Sequence, residues 1–138
     1  MERLAPSTKI YLADSKIPKA GRGVFAAEAI AEGEVIETCP VILLPESQTD
    51  TFHQTDLVKY YFMWGKDLEL VALALGYGAL YNHSFEPNAT YKKKLETDTL
   101  DFVAIKPIVK DVEITVNYNY SDPNDKSPIW ISDIPPAK

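Results

Sequence analysis

A chain of 138 residues, 46% of them hydrophobic, has the size and apolar content of one folded domain and is not a disordered tail. No apolar run approaches the roughly 20 residues of a membrane helix, and Met1 to Pro6 lacks the apolar centre of a secretory signal. No membrane partner is expected, and the expected place is the cytoplasm, or the nucleus in a eukaryotic or virus-infected cell. A formal net charge of −6 argues against direct nucleic-acid binding and suits a partner with a basic segment, although solubility alone also accounts for it.

Residues 1–9 read as a leading arm. Ile10 to Leu12 reads as a short strand, and Pro18 and Gly21 close the stretch after it. Gly23 to Ala27 is a second strand, and Ala31-Glu32-Gly33-Glu34 is a turn. Val35 to Leu44 is β-branched and apolar, so a well-buried strand. It contains Cys39, the only cysteine, so one chain can build neither a disulfide framework nor a cysteine zinc cluster. Pro45 to Thr55 is polar and reads as a loop. Leu57 to Trp64 and Leu68 to Leu75 flank Gly65-Lys66-Asp67 and read as a hairpin, with a short helix on either side left open by the periodicity.

Gly76-Tyr77-Gly78 precedes a polar knot, Tyr81 to Asn88. Tyr91 to Leu95 and Leu100 to Ile105 form another hairpin, Pro107 starts a bend, and Glu113 to Asn117 is a last strand. Ser121 to Ser127 is a polar loop, Pro128 to Ile131 an apolar clasp, and the chain ends in a Pro-Pro tail. Many short strands with regular turn signals predict a mostly β domain with little helix. There is no internal repeat.

The polar knot is the first candidate site, because hydrogen-bonding side chains between two buried runs are where a scaffold holds a ligand. Asn82 and His83 carry it. A lone histidine is more often structural, and a metal reading lacks companions: the other candidates are His53 and Cys39. No metal is expected. Asn82-His83-Ser84 and Asn88-Ala89-Thr90 match the glycosylation sequon, an accidental match without a secretory signal. Ala20-Gly21-Arg22-Gly23 can bring backbone close to a ligand or serve as an ordinary turn. It is not a nucleotide P-loop, since no Gly-Lys-Ser/Thr comes after it, nor a dinucleotide loop, since the next element is a strand.

Three segments together carry a resemblance. Asn82-His83-Ser84-Phe85-Glu86-Pro87-Asn88 resembles the signature of the SET domain protein lysine methyltransferases. Ala20 to Phe25 resembles their N-terminal cofactor loop, and Val112 to Tyr118 their closing segment. The likeness covers about residues 8–120 of a single domain, 1–138, with 121–138 as a tail closing over the cofactor site. Without zinc-binding cysteines before or after the core, it resembles the compact type that the family shows in bacteria and large viruses.

The resemblance implies short curved sheets of the β-clip type, with a C-terminal segment threaded in a pseudoknot-like way. It implies methyl transfer from S-adenosylmethionine to a lysine ε-amine, leaving S-adenosylhomocysteine. The expected partner is a Lys-rich or histone-like protein, and a homodimer is allowed. Ala20, Gly21, Arg22, Tyr81, Asn82, His83, Tyr118 and Trp130 are implied as cofactor neighbours. Tyr118 is implied as catalytic, and Tyr91, Phe102 and Tyr120 as walls of the lysine channel. Ordinary core packing is the competing reading for Phe102 and Tyr120. The rival functions are a catalytically silent peptide-binding module of this fold and a β domain used for assembly. The family's usual Gly-Glu-Glu-Leu-Thr appears as Asp111-Val112-Glu113-Ile114-Thr115, and Asn117 stands where Asp is common.

Overall fold

The computed structural model describes residues 3–119 and 123–126. Nine strands are described: β1 Ile10–Asp14, β2 Arg22–Ala26, β3 Val35–Leu44, β4 Tyr61–Trp64, β5 Leu70–Ala74, β6 Asn82–His83, β7 Ala89–Lys94, β8 Thr99–Ala104 and β9 Glu113–Val116. They form a four-stranded sheet, β1-β2-β9-β6, and a five-stranded sheet, β4-β5-β3-β8-β7. The expected mostly β fold of curled sheets is what forms.

Both expected hairpins are present. β4 pairs antiparallel with β5, Trp64 opposite Leu70, and β7 pairs with β8, Lys94 opposite Thr99. The segment read as a loop, Pro45 to Thr55, instead holds a short helix, α1, at Thr49–His53. Five residues are too few to leave a helical period in the sequence. The helix is anchored by one buried residue, Phe52, whose ring meets Tyr61 edge-on at 5.5 Å. The run from Leu57 is also split: Asp56–Lys59 is a 3₁₀ turn, and the strand starts only at Tyr61. Thr55 initiates that turn by accepting from the Leu57 amide at 3.3 Å.

The centre of β3 departs from simple alternation. Ile36 and Glu37 are consecutive and both buried. A register shift between Val35 and Glu37 against β8 explains this, since a bulge re-aims the side chains beyond it. The core spans both sheets, with Val24, Ile36, Trp64, Tyr81, Leu100, Phe102, Ile114 and Val116 fully enclosed.

The four-stranded sheet joins distant parts of the chain. β9 runs antiparallel to β2, Val24 opposite Ile114, and parallel to the two-residue β6, Asn82 opposite Thr115. The polar knot is therefore held in the sheet, and the end of β9 lies directly beside it: the Ser84 amide donates to the Val116 carbonyl at 2.9 Å. Among the described residues no helix is long and apolar enough to cross a membrane.

Candidate active site

Asn82 sits at the meeting of three segments. Its side chain is fully buried, and its Nδ2 donates to the Arg22 carbonyl at 2.9 Å and to Glu113 Oε2 at 2.8 Å. Ser15 Oγ donates to the other Glu113 oxygen at 2.7 Å. This approach requires Gly23. A Cβ there would lie 2.4 Å from Glu113 Oε2 and 3.0 Å from Asn82 Nδ2. The remaining Asn82 oxygen, Oδ1, is buried and has no hydrogen-bond partner among the described residues. A buried acceptor left bare costs on the order of 1–3 kcal/mol, so it is rarely retained without use. It is an acceptor left open among the described residues.

Residues 20–22 approach the same place from the other strand. Ala20 is fully buried, and Gly21 takes a left-handed φ of 73° that lets its carbonyl accept from the Ser15 amide at 2.8 Å. The Arg22 carbonyl, not its side chain, is what reaches Asn82.

Asn88 has a role the sequence did not disclose. Its Nδ2 donates to the Glu113 carbonyl and its Oδ1 accepts from the Thr115 amide, both at 2.9 Å. One amide side chain thus imitates a strand partner along β9. Asn117 is buried and donates to the Asp125 carbonyl, tying residues 123–126 to the end of β9. An aspartate there would lack that donor.

Tyr118 is fixed at both ends. Its amide donates to His83 Nδ1 at 3.0 Å, and its hydroxyl donates to the Tyr81 carbonyl at 2.7 Å. His83 is therefore an acceptor at Nδ1, and its ring lies 5.1 Å from that of Tyr118. Burial above all, then the nearby Tyr91, Tyr60 and Glu113, push the Tyr118 hydroxyl far above the ordinary tyrosine range. It remains a neutral phenol at any physiological pH.

Tyr91 is buried and faces Phe62 edge-on at 5.1 Å. Phe102 is fully enclosed and stacks on Tyr81, ring centroids 4.0 Å apart, so it backs the site from the core. Tyr120 and Trp130 lie outside the described residues. Tyr60, at the end of the 3₁₀ turn before β4, joins the phenols around Tyr118. Nothing in its local sequence marks it, because its place depends on the β4–β5 hairpin folding back. Glu37 was also missed: it is buried and accepts from the Tyr81 hydroxyl at 2.8 Å.

A cavity of about 430 Å³ lies between the leading arm, β3 and the turn after β5, lined by Leu4, Pro6, Ile10, Glu37 and Tyr77 among others. None of the site residues read from the sequence lines it. Among the described residues there is no group of three or more His, Cys, Asp or Glu side chains placed to hold a metal.

The residues matched to a known family are 21–119, and the family is the SET domain. A histone-lysine N-methyltransferase of Schizosaccharomyces pombe, specific for H3 lysine-37, is 31% identical over 99 residues, 71% of this chain. The chain spans 66% of that relative's length, just under two thirds. A candidate histone methyltransferase of Plasmodium falciparum has a similar structure, TM-score 0.66, at 35% identity. The match covers 83% of this chain and 96% of that one. The Polycomb Repressive Complex 2 of Chaetomium thermophilum, in an autoinhibited conformation bound to S-adenosylmethionine, matches at TM-score 0.67 and 25% identity. The match covers 85% of this chain and 16% of that one.

Proposed function

The chain belongs to the SET domain family, and on that premise we propose that it is a protein-lysine N-methyltransferase that uses S-adenosylmethionine. One observation supports this above the others. Residues 20–22, 82–83 and 118, far apart in sequence, converge through the Asn82–Arg22 and His83–Tyr118 hydrogen bonds. Beside them is a bare, buried acceptor, Asn82 Oδ1.

The donor set fits the cofactor. Asn82 Oδ1 offers an acceptor to the ammonium of its amino-acid end, with the backbone of Ala20, Gly21 and Arg22 alongside and His83 next along β6. When bound, S-adenosylmethionine supplies an electrophilic methyl on a sulfonium. The work of the chain is alignment, since in-line transfer gains most from holding the reacting atoms in place. Tyr118 and the Tyr81 carbonyl present fixed oxygen atoms, whose partial negative charge favours a methyl carrying positive charge.

Tyr118 is not the base, because its own proton is held too tightly. A free lysine is only about one part in a thousand neutral near pH 7. The surround of buried Tyr91 and the partly buried Tyr60 and Tyr118 strips water from an entering ammonium and lowers its pKa. The acidic net charge of −6 suits a basic, histone-like substrate.

Calorimetry with S-adenosylhomocysteine, followed by transfer of labelled methyl to histone proteins, tests the proposal. Binding with transfer is expected. Binding without transfer to any Lys-rich protein would favour a silent module, and no binding a β domain kept for assembly. Tyr118→Phe is expected to slow transfer about 100-fold with little change in cofactor affinity, since the hydroxyl acts in the transition state. Equal rates would remove that assignment.

A further inference from the structure

We propose that Glu37 is a positioning residue for methyl transfer, acting through Tyr81; this rests on the function proposed above. Glu37 is 8% exposed, a carboxylate inside the core. Among the described residues no lysine, arginine or histidine forms an ion pair with it. A buried polar side chain is costly unless satisfied, so its hydrogen bonds have to hold it.

Those bonds grip both ends of one short turn. Oε2 accepts from the Tyr77 amide at 3.0 Å, and Oε1 accepts from the Tyr81 hydroxyl at 2.8 Å. Burial and the same carboxylate push the Tyr81 hydroxyl well above the ordinary range, so the donor keeps its proton. The turn is built to admit the carboxylate. Gly76 has φ +63°, and a Cβ there would stand 2.4 Å from Glu37 Oε2. On the other side, the bulge in β3 turns Glu37 inward beside Ile36.

The Tyr81 ring is thus pinned twice, by stacking on Phe102 at 4.0 Å and by its hydroxyl on Glu37. Its own carbonyl is the acceptor that holds the Tyr118 hydroxyl at 2.7 Å. Glu37 therefore sets, through one rigid residue, where two oxygen atoms of the site stand. Displacements of an ångström at such a place cost up to about 100-fold in rate.

The test compares Tyr81→Phe, Glu37→Ala and Glu37→Gln, using labelled S-adenosylmethionine with histone proteins as the amine. Tyr81→Phe removes only the hydroxyl and keeps the stacked ring. Its kcat is expected to fall about tenfold, with the KM for S-adenosylmethionine within about twofold. Glu37→Ala should lose more. Glu37→Gln keeps the reach and an acceptor oxygen, so it should recover to within about threefold. A Tyr81→Phe enzyme with wild-type kcat overturns the proposal, whether or not Glu37→Ala folds. So does a loss that falls on KM alone.

A wild type that binds S-adenosylhomocysteine but transfers nothing defeats the methyltransferase reading instead. The positioning claim is then decided by amide exchange. Faster exchange in Tyr81→Phe confined to residues 77–83 and Tyr118 supports it, and unchanged exchange there overturns it.

Discussion

The two sheets are held together by different means. In the five-stranded sheet, backbone ladders of four to six residue pairs join every neighbouring strand. In the four-stranded sheet, β9 makes only two pairs with β2 and two with β6. Side chains supply what the ladders lack there: Asn88 lies along β9, Asn82 bridges to β2, and His83 receives the Tyr118 amide. Both sheets share the apolar core, but continuous ladders hold the larger one, while the shape of the site rests on a few buried polar bonds in the other. The separation is not complete, since Glu37 belongs to the larger sheet and reaches the site.

The sharpest way to test that division is to damage each side alone. Leu100→Ala leaves a cavity in the core at β8, away from the Tyr81 ring, and should cost about 3 kcal/mol in urea unfolding. Cofactor affinity measured well below the new midpoint should change much less. Asn88→Ala removes both bonds to β9 and should cost about 3 kcal/mol, from stranded buried backbone groups. Unlike Leu100→Ala, it should weaken S-adenosylhomocysteine binding in parallel. If both variants shifted stability and affinity in the same ratio, the two regions would not be distinct.

Gly23→Ala should strike the site harder than the fold. The added methyl forces Glu113 and Asn82 apart, so affinity should drop about tenfold in calorimetry while stability falls by about 1–2 kcal/mol. The smallest effect concerns pH. Burial raises the pKa of both Tyr81 and Tyr118, so the folded chain keeps protons that the unfolded chain releases near pH 10. That contribution to stability is whole below the ordinary tyrosine value and is lost as pH climbs past it. The urea midpoint should fall above about pH 10, and Tyr118→Phe should flatten the slope.

Much of the architecture is legible in the residues themselves. The hairpins at Tyr61–Ala74 and Ala89–Ala104 announce themselves by β-rich runs around turn residues, and β3 matches its expected bounds. Asn82, His83 and Tyr118 stand out because their motifs are contiguous. Tyr60, Asn88 and Glu37 do not, because each looks ordinary among its sequence neighbours. Helix α1 is hidden for the same reason, being one turn long with one buried side chain.

The order of residues alone determined the mostly β character and the turn positions, since strand alternation and glycine or proline breaks act over a few neighbours, and the resemblance of three motifs pointed to the segments proposed as the site. Only the tertiary structure decided that Glu37 points inward, that Asn82 keeps a bare oxygen, and that Tyr118 meets the Tyr81 carbonyl. Those outcomes depend on a bulge and on bonds between residues 31 to 60 positions apart, and contacts at that range leave no local pattern to read.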